Sequence, residues 1–175
     1  GNAMIITTLG DNAYLSTCSY LAAQKQYLGE KIILLDSFEA CLESLKIGNS
    51  DISIIPAAYP KLNSIIMDDN FEINNTFIHK IPDLVLSCKY NENEFSCLYY
   101  HIATQILLKK ISKSYKNKQL VNSNTEAALK VKSSSSYDLC ITNRFCAEQQ
   151  SLIILQILRK ELKMPFLCFS KKEKK

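Results

Sequence analysis

The chain has 175 residues, of which 47% are hydrophobic and 22% are charged, and its formal net charge is +4. This length and composition are typical of one globular domain or of two small interlocked lobes. Four of the last five residues are lysines, and this segment accounts for most of the net positive charge. We therefore expect a disordered basic tail at residues 171–175 and no nucleic-acid partner.

The chain contains seven cysteines but only two histidines. No Cys-x-x-Cys pair is present and the cysteine count is odd, so neither a metal site nor a disulfide framework has support. We expect Cys41, Cys140 and Cys168 to be core thiols in a reducing, cytoplasmic compartment. No apolar run has the length of a membrane span. Residues 1–3, ahead of Met4, resemble a cloning remnant.

The first third of the chain predicts alternating strands and helices. Strands are predicted at residues 4–9, 31–35 and 52–55, and helices at 16–27 and 37–46. This alternation is typical of a largely parallel sheet. The pattern weakens over residues 59–75, where we expect the chain to cross to a second lobe.

The remainder of the chain repeats the alternation less regularly. Strands are predicted at residues 76–81, 84–88, 95–100, 119–121, 138–143 and 166–169. Helices are predicted at residues 103–111, 123–132 and 143–150, whereas residues 152–158 fit a helix or a strand. We place lobe 1 at residues 4–75 plus 152–170 and lobe 2 at residues 76–151.

Two segments, residues 36–56 and 123–143, repeat one pattern at a separation of 87 positions. Each begins with a helix-capping residue, carries a Glu three positions later as in a capping box, and reaches an Asp fifteen positions after the cap. The repeat predicts an α/β fold of two similar lobes with a ligand cleft between them. Each lobe would be a small, mostly parallel sheet flanked by helices.

The two repeats differ at their helix caps. In open α/β sheets, ligands lie beyond the carboxyl ends of strands, where helix N-termini favour anions. Asp36 would cap its own helix with a carboxylate and repel an anion, whereas Ser123 is neutral. Asn122 and Asn124 offer further donors beside Ser123, so all three are candidates for binding a carboxylate or phosphate. Plain N-capping by Ser123 is the alternative.

Further candidates follow the ends of predicted strands. They are residues 10–16, residues 57–59, His101, Thr142 and Asn143. His101 could act as an acid, a base or a hydrogen-bond donor, and the alternative is a surface or helix-capping histidine. No Gly-rich phosphate loop, nucleophile elbow or catalytic His pair is present. A substrate would therefore have to bring most of the reactivity itself.

These motifs resemble the prephenate dehydratase domain, a two-lobed fold related to type 2 periplasmic binding proteins. Residues 36–39 resemble its DSFEE motif, residues 123–128 resemble its STAEAA motif, and His101 falls at its Ser-His-Pro. The resemblance covers most of residues 4–172 in collinear order.

Within that family, the chain is most similar to the prephenate decarboxylases of the bacilysin pathway. Residues 55–59, 121–124 and 141–143 resemble their VPHAY, VNST and LTN segments. Dehydratases carry a Thr that helps the 4-hydroxyl of prephenate to leave. At the corresponding position this chain has Met164, and the decarboxylase branch also has a Met there. Because Met donates no proton, the resemblance implies decarboxylation that keeps the hydroxyl, with no metal or organic cofactor.

The resemblance also implies a set of binding residues for a small carboxylate. Asn122, Ser123 and Asn124 would hold the carboxylate, with Ser16, Tyr14 and Tyr59 on the opposite lobe, Thr142 and Asn143 near the hinge, and Met164 and Phe166 as an apolar floor. His101 is the one titrating group that could take part in catalysis. Dimers are common in that family, so a homodimer is one expected state.

Two departures from the family pattern keep other functions open. Tyr14 lies in an altered turn that has lost its second glycine, and Ala57 replaces a His of the decarboxylases. These changes favour a binding or sensor protein of the same fold that does not turn over its ligand. A prephenate dehydratase is the third alternative, and it is disfavoured by Met164, which cannot donate a proton.

Overall fold

The computed structural model describes residues 3–173, which fold into two compact units. Within this range, unit 1 consists of residues 3–15, 19–81 and 163–173, and unit 2 consists of residues 16–18 and 82–162. The interpretation of residues 1 and 2 as part of a cloning remnant, and of residues 174 and 175 as part of a disordered tail, concerns positions outside the described residues.

Strands and helices alternate along much of the chain. The strands are β1 (Ile5–Leu9), β2 (Lys31–Leu35), β3 (Ile52–Pro56), β4 (Phe71–Lys80), β5 (Leu84–Cys88), β6 (Glu94–His101), β7 (Ser114–Val121), β8 (Asp138–Asn143), β9 (Ile153–Arg159) and β10 (Lys163–Lys171). The α-helices are α1 (Cys18–Gln26), α2 (Phe38–Lys46), α3 (Leu62–Ile66), α4 (Asn124–Ser133) and α5 (Arg144–Gln149), and a 3₁₀ helix covers Ile102–Lys110. None of these helices of the described chain is long and apolar enough to cross a membrane.

The sheets of the two units have the same strand order and the same strand directions. Unit 1 has the order β2-β1-β3-β10-β4, and unit 2 has the order β7-β6-β8-β5-β9. In each sheet the first three strands are parallel, and the last two are antiparallel to their neighbours. The prediction of two similar α/β lobes is confirmed, with sheets that are mixed in direction.

The inner strands of the sheets and three of the cysteines are buried in the core. β5 and β8 are buried along their whole length, which explains why residues 84–86 and 139–141 are apolar on both faces of the sheet and do not alternate with polar residues. Cys41, Cys140 and Cys168 have no exposed surface, which confirms their prediction as small core residues. All seven cysteines are free thiols.

Both repeats begin their helix with a serine cap. The Ser37 side-chain oxygen accepts a hydrogen bond from the Ala40 backbone N–H, and the Ser123 oxygen accepts one from the Glu126 N–H, both at 3.0 Å. The prediction that Asp36 caps α2 is therefore wrong, because Ser37 has the extended backbone of a cap and reaches the free N–H first. The caps of the two repeats lie one position closer together than predicted.

The Asp that closes each repeat has the same role in both units. An Asp51 carboxylate oxygen accepts a hydrogen bond from the Ile5 backbone N–H at 2.8 Å, and an Asp138 oxygen accepts one from the Cys97 N–H at 3.1 Å. Each carboxylate thus ties the start of the central strand of its sheet, β3 or β8, to the neighbouring parallel strand, β1 or β6. The repeated Asp therefore has a structural role in both units.

The chain passes from unit 1 to unit 2 between Ile81 and Pro82 and returns between Leu162 and Lys163. The predicted crossings, after residues 75 and 151, are earlier than those observed. Both crossings were predicted too early because residues 76–80 of β4 were assigned to lobe 2 and residues 153–159 of β9 to lobe 1. β4 stays paired with β10 as far as Lys80, and β9 pairs with β5 of unit 2.

The prediction of a disordered tail fails for its first two residues. Lys171 ends β10 and lies opposite Phe71 of β4. The Lys172 backbone N–H donates to the Asn70 carbonyl oxygen at 2.8 Å. Lys171 and Lys172 are therefore ordered by hydrogen bonding between the end of β10 and residues 70 and 71.

Candidate functional site

A cluster of polar side chains forms in unit 2 where β8 ends and α4 and α5 begin. The Thr142 hydroxyl donates to the Asn124 carbonyl oxygen at 2.8 Å. The Ser16 and Thr125 hydroxyls share a hydrogen bond of 2.8 Å. The structure thus brings Ser16, Asn124, Thr142 and Asn143 together, four of the residues that the sequence proposed for binding.

Asn143 is the centre of this cluster. Its Nδ2 donates to the Ser16 carbonyl oxygen at 2.9 Å and to Asn124 Oδ1 at 3.4 Å. Its Oδ1 accepts the Cys146 backbone N–H at 2.9 Å and so caps α5. Asn143 has no exposed surface, so its amide orients the cluster.

Two thiols complete the cluster. The Cys146 thiol donates to the Ser16 carbonyl oxygen at 3.2 Å, and the Cys18 thiol donates to Asn124 Oδ1 at 3.5 Å. Burial raises the pKa of Cys18 to about 12, and the nearby Cys146 adds to this rise. Cys18 is therefore a neutral thiol at physiological pH and neither repels a carboxylate nor acts as a nucleophile.

The N-terminus of α4 has a complete capping box. Ser123 accepts the Glu126 N–H, and a Glu126 carboxylate oxygen accepts the Asn122 N–H at 2.7 Å. This is the structural role that the sequence left as the alternative for Ser123. The Glu126 carboxylate also lies at the helix end that was expected to attract an anion. A ligand carboxylate would therefore have to use donors other than the Asn122 N–H, such as the Ser123 hydroxyl, which accepts the Glu126 N–H but keeps its own proton to donate.

His101 ends β6 and caps the 3₁₀ helix. Its Nδ1 accepts a hydrogen bond from the Ala103 backbone N–H at 3.2 Å, and the side chain is buried. A ring nitrogen that accepts a hydrogen bond carries no proton. The geometry therefore matches the helix-capping alternative for this residue.

In unit 1, Tyr59 donates its hydroxyl to the Glu39 carboxylate at 2.5 Å. Burial, and then the hydrogen bond to Glu39, raise the pKa of the Tyr59 hydroxyl. The hydrogen bond from Tyr59 lowers the pKa of Glu39. Lys61 lies 3.5 Å from the same carboxylate, but both of these side chains are largely exposed and the pair is weak. Tyr59 therefore stays protonated while Glu39 is ionised.

The other unit 1 candidates are less accessible or already engaged. Phe166 has no exposed surface and stacks on Phe77 with ring centroids 5.4 Å apart, so it is a core residue. Met164 is buried beside it on β10. Tyr14 lies in unit 1, while Ser16 belongs to unit 2. The expectation that Ser16 shares a wall with Tyr14 and Tyr59 is therefore wrong.

Sequence reasoning missed four residues of these two clusters. They are Cys18, Thr125 and Cys146 in unit 2 and Glu39 in unit 1. Thr125 and Glu39 occupy the first turns of the repeated helices, so their positions after the caps could have indicated them. The two cysteines had no such signal, because their partners are distant in sequence. Among residues 3–173, no group of three or more His, Cys, Asp and Glu residues is arranged to hold a metal ion.

Known proteins with similar sequences are prephenate decarboxylases. The enzyme of Planktothrix agardhii is 29% identical over 183 aligned residues, covering 97% of this chain and 89% of the relative. The enzyme of Bacillus subtilis is 27% identical over 153 residues, covering 83% of this chain and 74% of the relative. The resemblance to the prephenate dehydratase-domain family is confirmed. No protein-family model matches the chain.

The fold is also similar to that of solved prephenate dehydratases. The structure of prephenate dehydratase from Arthrobacter aurescens, in complex with L-Phe, superimposes with a TM-score of 0.66 at 14% identity. The alignment covers 97% of this chain but only 61% of the length of that protein. At this identity the likeness supports the fold alone.

Proposed function

We propose that the chain is a prephenate decarboxylase-like lyase acting on prephenate or a related cyclic carboxylate. The observation that carries the proposal is the 29% identity to a prephenate decarboxylase over 97% of the chain. In the proposed reaction the ring carboxylate leaves as CO2, its bonding electrons move into the ring, and a ring carbon takes up a proton. The 4-hydroxyl stays on the ring, so no aromatic product forms.

Met164 supports decarboxylation over dehydration. Loss of the 4-hydroxyl needs a proton donor, and a thioether provides none. Met164 is also buried within β10, so a water molecule has little access to replace the missing hydroxyl. The proposal assigns the reaction to amino-acid or secondary-metabolite biosynthesis in the cytoplasm, with no cofactor.

The polar cluster of unit 2 supports binding of a carboxylate by neutral groups. The hydrogen bonds described above use Oδ1 of Asn124 but leave its Nδ2 as a donor for a ligand. Asn143 and Thr125 fix the position of Asn124 and Ser16 beside it. Because the cluster contains no Lys or Arg, we expect binding of the carboxylate to depend only weakly on salt.

A test of turnover separates the candidate functions. The whole chain is incubated with prephenate at neutral pH, and CO2 and phenylpyruvate are both measured against a sample without protein. CO2 without phenylpyruvate supports the proposal. Formation of phenylpyruvate would identify a dehydratase instead, and saturable binding without either product would identify a binding protein.

One observation favours the binding or sensor alternative. In the altered turn after β1, the Asp11 carbonyl oxygen accepts the N–H groups of Tyr14 and Leu15, and the Asp11 side chain accepts that of Ala13. The turn therefore uses its own N–H groups internally. A glycine-rich turn would have left such donors available to a ligand anion.

We expect Ser123→Asp to weaken binding of prephenate by at least about tenfold, which is a modest electrostatic penalty. Asp is as good an N-cap as Ser, so α4 should keep its stability, while the new carboxylate adds to that of Glu126. Ser123→Asn is the matched control, because Asn caps equally well without charge. Titration calorimetry of both variants checks the prediction, and equal affinities would remove this helix end from the site.

A further inference from the structure

The edges of the two sheets are protected to very different degrees. An edge strand exposes a row of backbone N–H and C=O groups that can pair with another chain, and proteins usually shorten, charge or cover such edges. The four edge strands of the described chain are β2 and β4 in unit 1 and β7 and β9 in unit 2.

Three of these edges carry a recognisable protection. β2 is only five residues long. β7 has the exposed lysines Lys116 and Lys118 in its middle. β9 is covered by the end of the 3₁₀ helix, because the Gln156 side chain bonds to residues 110 and 112 and the Lys110 ammonium donates to the Leu158 carbonyl oxygen at 3.0 Å.

β4 has no comparable cover. It is ten residues long, and within the described chain it has a strand neighbour, β10, on one side only. Its single lysine, Lys80, is its last residue. Ile78 is 69% exposed and Ile73 is 44% exposed, although β-branched apolar side chains on an edge promote pairing.

A bulge places these two isoleucines on the same face of the sheet. Ile73 lies opposite Phe169 and Ile78 lies opposite Pro165, so their partners on β10 are four residues apart and share a face. Without the extra residue in β4, two positions five apart would point to opposite faces. The six residues from Asn75 to Lys80 then pair with β10 without interruption.

We propose that this edge of β4 is an interface with the β4 edge of a second copy of the chain, paired antiparallel. The strand begins with the exposed Glu72 and ends with the exposed Lys80. Antiparallel pairing brings the acidic end of one strand next to the basic end of the other at both ends of the interface. Parallel pairing would bring like charges together. The edge is thus electrostatically complementary to itself.

Sedimentation equilibrium over a series from low micromolar to submillimolar protein tests the proposal. The whole chain is expected to follow a monomer–dimer equilibrium, and Ile78→Lys should raise its dissociation constant by at least about tenfold. The new lysine places an exposed charge on β4, as Lys116 and Lys118 do on β7, and should disfavour pairing with another strand. Ile106→Lys is the matched control, since Ile106 is 67% exposed on the 3₁₀ helix.

Amide hydrogen exchange gives a second readout that needs no variant. Residues 75–80 should exchange more slowly at high protein concentration than at low concentration, while residues 114–121 of β7 should be unaffected. A wild-type chain that stays monomeric throughout the series would overturn the proposal. So would a dimer that persists in Ile78→Lys or that leaves the exchange of residues 75–80 unchanged.

Discussion

Asn143→Asp is expected to destabilise unit 2 by about 2–4 kcal/mol, although it changes only one atom of the side chain. One oxygen of the new carboxyl group can still accept the Cys146 N–H. The other oxygen would face the Ser16 carbonyl oxygen and Asn124 Oδ1. In the wild type these two atoms accept hydrogen bonds from Asn143 Nδ2 at 2.9 and 3.4 Å. Acceptors would then oppose acceptors in a fully buried site.

The loss should also depend on pH in a defined direction. Burial among acceptors raises the pKa of the introduced carboxyl group in the folded state above its unfolded value. The protonated form can donate the missing hydrogen bond, so the variant is least impaired below the unfolded pKa. Its stability relative to the wild type should fall as pH rises through the folded pKa.

Urea unfolding of Asn143→Asp and wild type at several pH values measures both effects. Asn117→Asp is the matched control, because Asn117 is exposed on β7 and its substitution should change stability by less than about 0.5 kcal/mol. A loss of similar size in the two variants would mean that the Asn143 hydrogen bonds do not hold the cluster together.

Phe166→Ala is expected to lower the free energy of unfolding by about 3–5 kcal/mol. The ring has no exposed surface, stacks on Phe77 and meets the His79 ring edge-on at 6.5 Å. Its removal leaves a cavity in the sheet of unit 1, because β-sheet neighbours cannot close around it.

The same substitution tests the earlier prediction that Phe166 forms an apolar floor of the ligand site. Phe145→Ala serves as the control, since Phe145 is 44% exposed on α5 and should cost less than about 1.5 kcal/mol. Urea unfolding and prephenate titration are measured on both variants. A Phe166→Ala variant of normal stability but weaker prephenate affinity would contradict the assignment of Phe166 to the core.

The sequence predicted the repeated fold because the repeat consists of patterns between residues that are close together in the chain. A serine cap, an amphipathic helix and a closing Asp act over short distances, so residues 36–56 and 123–143 were recognisable as equivalent units. The one error within them, the cap at Asp36, arose because Asp and Ser are adjacent and both are good caps. Only the backbone conformation decides which of them turns toward the helix.

The parts that the sequence predicted poorly depend on contacts between distant residues. β9 fits a helix or a strand by its pattern alone, and its pairing with β5 decides the matter. The partners of Ser16 in the polar cluster lie more than 100 positions away in the chain. Spacing along the chain contains no information on such contacts, so Cys18 and Cys146 could not be identified as members of the site.

The order in which the strands are synthesised has a consequence for how the protein matures on the ribosome. β10 lies between β3 and β4 in the sheet of unit 1, yet it follows all of unit 2 in the chain. Until residues 163–171 emerge, β3 and β4 each lack β10 as a neighbour, and their backbone N–H and C=O groups on that side are unpaired. Unit 2 receives its last strand earlier, so we expect it to become protease-resistant first in nascent chains, and unit 1 to be where chaperones bind.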